Sequence, residues 1–315
     1  SSLLADAMFA GLAGSAANRL WFGMEAWRWM FIAEALPALV YGIFAFRLPE
    51  SPRFLVARGN YDKASQVLYD FTGIVNVNLK IEEIRSTIDS EKRESLADLR
   101  GSALGLKPIV WVGILLSVFQ QFVGINVIFY YSTTLWRTVG FEESDALTIT
   151  VITSVTNILV TILAILLVDK VGRRPMLLAG SFFMTISLGL MALAFSFAKV
   201  SGGEVTLEAP WAPIALVAAN LFVVAFGATW GPLVWVLLGE MFPNRIRAGA
   251  LAVAAAAQWV ANFFISTTFP SFSSISLTFA YGFYAFFALL SLVFVFFRVP
   301  ETKGKELEEM EDLAV

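Results

Sequence analysis

Gln120-Gln121-Phe122-Val123-Gly124-Ile125-Asn126 sets three uncharged amides in the middle of an apolar stretch that runs from residue 108 to 137. A helix crosses a bilayer core with roughly 20 apolar residues, so this stretch is long enough to span. Amides in hydrocarbon are expensive and are expected to face protein or a polar cavity. Gly124 separates the glutamine pair from Asn126, and a helix that opens there can turn all three amides toward one side.

Similar stretches flank this one at about 1–17, 28–48, 145–168, 175–198, 212–241, 248–270 and 277–298. Together they predict an all-α, multi-pass membrane protein with eight spans. Three further amides fall near span midpoints: Asn157, Gln258 and Asn262, the last two on one helical face at i, i+4. Any single amide can serve as interhelical glue, at about 0.6 kcal/mol per bond. Several at one depth point instead to a shared cavity.

Composition agrees. The chain is 58% hydrophobic and 15% charged, with a mean hydropathy of +0.73, beyond what a soluble domain requires. It has no cysteine and no histidine, which removes disulfides, thiolate metal sites and imidazole catalysis. The reading is not an enzyme, and no cofactor, metal or nucleic-acid partner is expected. The first stretch begins at Ser1 without a basic leader or cleavage site, so it reads as a span already in progress rather than a signal peptide.

Basic residues orient the spans, because cytoplasmic loops accumulate them. With residues 47–107 placed inside, 18 of the 22 Lys and Arg fall on that side, and only Arg19, Arg28, Arg137 and Lys199 fall outside. The C-terminus is then cytosolic. Within the charged insert, Ser51-Pro52 suits a helix start and Gly59 its end. A second helix is predicted over 61–71 and a third over 79–92, with Ile81, Ile84 and Ile88 on one face.

The site chemistry favours a neutral, hydroxyl-rich solute. Each amide offers an acceptor oxygen and a two-donor nitrogen on one short group, which matches sugar hydroxyls without requiring charge. Trp230 and Trp235 flank Gly231-Pro232 well inside a span, where a local helix interruption is expected. An indole face packs on the C–H face of a sugar ring. Tyr130 and Tyr131, a turn beyond Asn126, are candidates for an outer gate or for simple packing. Glu50, Arg173, Arg174, Glu240, Arg247 and Glu301 fall at predicted cytosolic span ends, where solvated topology determinants are the default.

Five motifs then coincide. Pro49-Glu50-Ser51-Pro52-Arg53, Asp169-Lys170-Val171-Gly172-Arg173-Arg174-Pro175 and Pro300-Glu301-Thr302-Lys303-Gly304 all lie on the predicted cytosolic side. With them stand the Gln120–Asn126 run and Gly231-Pro232-Leu233-Val234-Trp235 continuing to Pro243. In this order they resemble the sugar porter family of the major facilitator superfamily. The resemblance implies a helical bundle of twelve spans, of which this sequence carries about eight and begins within the fifth. It divides the chain into the last two spans of the N-terminal bundle (1–48), an intracellular helical linker (49–106), a C-terminal six-span bundle (107–298) and a cytosolic tail (299–315).

The function so implied is monosaccharide transport across the cell membrane by alternating access, coupled to protons as symport. Passive facilitation, sugar sensing and a non-transporting fragment that needs the absent spans are the alternatives. Substrate contacts fall on Gln120, Gln121, Asn126, Asn157, Gln258 and Asn262, with sugar stacking on Trp235 and pocket lining by Trp230 and Trp259. The charged span ends become a lock that closes the cytosolic side. Asp6, near the middle of the first span, would cost about 2.5–3.5 kcal/mol there, and is assigned to the cavity border or to proton coupling. The family's own coupling acid belongs to an earlier span, and Ser2 stands where the family has a sugar-binding glutamine.

Overall fold

The computed structural model describes residues 17–72, 76–91, 96–138, 140–201, 204–243 and 246–304. Ser2, Asp6 and nearly all of the first predicted span lie outside the described residues. Among the described residues, seven segments are long and apolar enough to cross a membrane.

The first is α1 (Ala26–Arg47), in which only Ala26 and Met30 are buried. Three short helices follow: α2 (Pro52–Ala57), α3 (Tyr61–Thr72) and α4 (Val77–Glu91). Ser51 caps α2 by accepting from Phe54 N at 3.2 Å, Pro52 opens its first turn, and Gly59 closes it at φ +74°. These helices bury Leu55, Val56, Ala64, Leu68 and Ile81 against one another, with Ile84 and Ile88 alongside. The insert thus has an apolar core of its own.

The predicted span at 108–137 is three helices: α5 (Pro108–Phe122), α6 (Ile125–Tyr130) and α7 (Ser132–Thr138). Gly124 breaks it at φ +82°, and a Cβ there would stand 2.8 Å from the Tyr284 ring. Two requirements, left-handed backbone and close approach, therefore select glycine. Next come α8 (Glu143–Val171) and α9 (Arg173–Ser196), then a two-stranded antiparallel hairpin, β1 (Lys199–Ser201) with β2 (Glu204–Thr206). The hairpin is the one strand pair among the described residues, beside two isolated bridges, Arg19 with Glu25 and Ala103 with Leu106.

The span at 212–241 is also divided, into α10 (Trp211–Gly227) and α11 (Trp230–Met241). Here the interruption precedes the expected Gly231-Pro232. Thr229 carries the bend at φ −135°, ψ −86°, and Leu233 N donates to Thr229 O at 3.0 Å as α11 begins. Pro232 falls in the first turn, where an N–H has no intrahelical acceptor, so it costs no hydrogen bond. Last come α12 (Arg247–Ile275), which passes through Pro270 and runs five residues beyond the expected end, and α13 (Leu277–Arg298), capped by Ser276.

Helix α9 is central, packing on α10 and α13, while α5 packs on α12. Met184, Leu188 and Met191 of α9 are wholly buried. Thr150, Thr153, Ser154, Thr161 and Thr185 donate their hydroxyls to the carbonyl four residues back. The hydroxyl protons are satisfied within their own helix, and Thr150 Oγ1 additionally lies 2.9 Å from Ser132 Oγ on α7.

Candidate functional site

The break at Gly124 brings three amides together. Asn126 Nδ2 donates to Gln121 Oε1 at 2.6 Å and to Asn262 Oδ1 at 3.1 Å, and Ser266 Oγ donates to the same Asn262 oxygen at 3.0 Å. Among the described residues this leaves Gln121 Nε2 and Asn262 Nδ2 as donors, and Asn126 Oδ1 as an acceptor, without a protein partner. Donors and an acceptor side by side suit hydroxyl groups, which both give and take a hydrogen bond. Gln258 lies one turn before Asn262 on the buried face of α12, and its Oε1 has no protein partner among the described residues. Such an acceptor costs about 1–3 kcal/mol while unpaired.

Gln120 is used differently. Its Nε2 donates to Trp230 O at 2.9 Å and Gly231 O at 3.1 Å, which joins α5 to the first turn of α11. Only Oε1 remains, buried and unpartnered among the described residues. Asn157, on α8, makes no hydrogen bond to these amides among the described residues, and its Oδ1 is 2.8 Å from where a Cβ on Gly227 would lie.

The tryptophans divide sharply. Trp235 is 44% exposed on α11 and Trp259 is 65% exposed on α12, whereas Trp230 is 0% exposed. The expectation that Trp230 lines a pocket is therefore wrong: its Nε1 donates to Ser181 Oγ at 3.0 Å and Leu177 O at 3.2 Å inside the bundle. Trp259 shares its exposed side of α12 with Val260, Phe263 and Phe264, not with buried Gln258 and Asn262. Tyr130 is exposed, while Tyr131 ties the end of α6 to α12 by donating to Ser266 O at 2.9 Å and packing 4.9 Å from the Phe269 ring.

A second constellation forms where α8 meets α9. Arg173 pairs with Glu240 through two bonds, Nε to Oε2 at 3.0 Å and Nη2 to Oε1 at 2.7 Å, and reaches Asp169 at 2.9 Å. Thr302 Oγ1 donates to Glu240 Oε2 at 2.6 Å. Glu301 accepts from the backbone N–H groups of Arg173, Arg174, Thr302 and Lys303, each at 3.0 Å. Burial alone would raise the Glu301 pKa, but these four N–H donors outweigh it and hold the carboxyl below its usual range. Gly172, at φ +103°, leaves the space: a Cβ would stand 2.8 Å from Glu301 Oε2.

Not every predicted member joins. Arg174 donates to Phe296 O at 2.7 Å, and Arg247 donates to Phe242 O at 3.1 Å, so both spend guanidinium donors on carbonyls. Glu50 is exposed and stands outside the cluster. Sequence reasoning missed Ser266, Thr302 and Asn220. Ser266 was within reach, being four residues beyond Asn262 on the same helix. Asn220 on α10 donates to Leu216 O at 3.0 Å, and its Oδ1 lies 3.3 Å from Thr153 Oγ1 on α8, whose proton goes to Ile149 O.

Comparison with known proteins identifies the family and the fold. The family described as "Sugar (and other) transporter" matches residues 2–314. The chain is 54% identical over 311 residues to a glucose transport protein of Synechocystis, covering 98% of this chain and 66% of that one. It is 39% identical over 300 residues to the D-xylose-proton symporter of Escherichia coli K12, covering 93% of this chain and 58% of that one. The solved structure of a proton:xylose symporter bound to 6-bromo-6-deoxy-D-glucose superposes with a TM-score of 0.76 at 36% identity, over 99% of this chain and 64% of that one. The chain thus spans slightly less than two thirds of these relatives. Motifs, fold and similarity converge, and the chain belongs to the sugar porter family of the major facilitator superfamily.

Proposed function

We propose that this chain supplies most of a secondary transporter that carries a monosaccharide across the cell membrane by alternating access, in symport with protons. The observation that carries the reading is the Gln121–Asn126–Asn262 cluster, which keeps donors and an acceptor free of protein partners at a helix break in the bundle. Gln258, Asn157 and the remaining Gln120 oxygen extend the substrate contacts, and Trp235 stacks on the sugar ring, with Trp259 at the cavity edge. Glucose and xylose are the first substrates to try, since proteins similar to this one are named for them.

Residues 1–48 act as the last part of an N-terminal bundle, 49–106 as an intracellular linker, 107–298 as the C-terminal bundle and 299–315 as a cytosolic tail. The charge distribution supports a cytosolic C-terminus, since 18 of the 22 basic residues then lie inside. Arg173, Glu240 and Glu301 close the cytosolic side. Tyr130 and Tyr131 close the outer side; Asp6, outside the described residues, keeps its sequence-based assignment to the cavity border or to proton coupling.

The test is radiolabelled uptake by the full-length protein over a monosaccharide panel, with and without a proton uncoupler. Saturable uptake that collapses with uncoupler is expected. Uptake that survives it means passive facilitation, and no saturable uptake of any sugar overturns the reading.

A further inference from the structure

The two helix breaks are held very differently. At the Gly124 break the carbonyls are free of side-chain donors among the described residues, whereas the Thr229–Trp230 bend is gripped from two sides. From α5, the Gln120 amide nitrogen holds the carbonyls of Trp230 and Gly231. From α9, Ser181 Oγ and Leu177 O take the Trp230 indole N–H. The neighbouring Gly180 has no Cβ to spare: one there would collide with the Thr229 side chain, its Cβ at 2.8 Å.

The grip continues outward. Ser181 Oγ lies 2.9 Å from Ser291 Oγ on α13, and Ser291 Oγ lies 2.7 Å from Ala288 O. A hydroxyl carries one proton. The Ser291 proton is directed at the Ala288 carbonyl, so Ser181 donates to Ser291 and accepts from the indole. The donors thus run one way, from Trp230 through Ser181 and Ser291 to a carbonyl, across α11, α9 and α13. Each bond in such a chain polarises the next. Trp230, Ser181 and Ser291 are all 0% exposed, so water does not compete for these bonds.

We infer that Trp230 and Ser181 are positioning residues that fix the pivot from which α11 is aimed. Trp235 lies five residues along α11, about 7 Å beyond the pivot at helical rise, and Glu240 lies near its far end. A displaced pivot therefore moves both the candidate stacking indole and the partner of Arg173. The affinity part of the test rests on the sugar reading above, whereas the backbone part does not.

The experiment uses the full-length protein in nanodiscs with Ser181→Ala, Ser291→Ala and Trp230→Phe, the last keeping a ring without the N–H. Hydrogen exchange by mass spectrometry is expected to rise about 10-fold over residues 226–236 in Ser181→Ala and Trp230→Phe, less in Ser291→Ala, with the α12 interior unchanged. Unchanged exchange at the bend, or a uniform rise through all spans, overturns the inference. In parallel, D-glucose and D-xylose affinities are measured for Ser181→Ala, Trp235→Phe and the double variant. A loss of about 5-fold in Ser181→Ala that vanishes in the Trp235→Phe background shows that Ser181 acts through Trp235, and additive losses refute it. If the unmodified protein binds neither sugar, the sugar reading has failed and the exchange result alone decides the pivot.

Discussion

Exchanging the charges of Arg173 and Glu240 tests the proposed cytosolic lock most directly. The pair makes two charge-assisted bonds at 3.0 and 2.7 Å, with the Arg173 side chain 11% exposed and that of Glu240 34% exposed. Hydrogen bonds to charged groups contribute about 1.5–3 kcal/mol when dry, and exposed ion pairs about 0.2–1 kcal/mol. The pair lies between these limits. Asp169 remains beside Arg173 at 2.9 Å when Glu240 is altered, but at 79% exposure it recovers little. We therefore place the coupling at about 1.5 kcal/mol, roughly a tenfold change in the ratio of closed to open cytosolic side.

The assay exploits the absence of native cysteine from these 315 residues, with any cysteine in the rest of the full-length protein first replaced by serine. A single cysteine at Gln258, on the buried face of α12, is labelled from the cytosolic side with an impermeant maleimide in the full-length protein. Arg173→Glu and Glu240→Arg are each expected to speed labelling about tenfold, and the double reversal to return at least half of that change on a logarithmic scale. Equal labelling in all four proteins refutes the lock. Fast labelling in both single variants without recovery in the double refutes the pairing.

Three other outcomes are expected. Trp235→Ala or Gln258→Ala abolishes saturable sugar uptake while membrane insertion, read by surface biotinylation, stays normal; near-normal uptake in both places the pocket elsewhere. Gly124→Ala lowers thermal stability by about 2 kcal/mol, since it combines a left-handed backbone with a Cβ against the Tyr284 ring, and an unchanged melting curve disproves that requirement. Glu301 has its folded pKa held below the ordinary 4.5, so its stabilisation is complete above that value and is lost as pH falls through the lower folded value. Glu301→Gln should thus be less stable than the parent at pH 7 and converge on it in acid, and parallel pH profiles contradict this.

The architecture was legible because span length and apolarity are set by the bilayer, and each residue carries that signal locally. The Gly124 break was legible for a similar reason, since only glycine meets both demands at that point. The second break was misplaced by a few residues because Pro232 looks like the interruption but is harmless in a first turn, whereas Thr229 carries no such mark. Trp230 and Trp235 are alike in sequence context. What separates them is rotation about α11: positions 230, 233, 234, 237 and 238 face the bundle, and 235 does not. Similarly, nothing local could tell that the Gln120 nitrogen is consumed by carbonyls 110 and 111 residues away, or that Gln121 is not. Charges at span ends were easy to find, yet only three-dimensional placement shows Arg174 and Arg247 turned toward carbonyls and Glu50 left out.

Glu301 lies past the last transmembrane helix in sequence, yet its carboxylate caps the first turn of α9, where two orphan N–H groups and the positive end of a helix dipole converge. The start of one helix and the exit of another are stapled by a single side chain from the tail. Any tag, reporter or protease site introduced between Arg298 and Gly304 therefore acts on the start of α9 rather than on a passive end. Trimming the chain back to Arg298 would strip the cap from α9 while deleting no residue of any span.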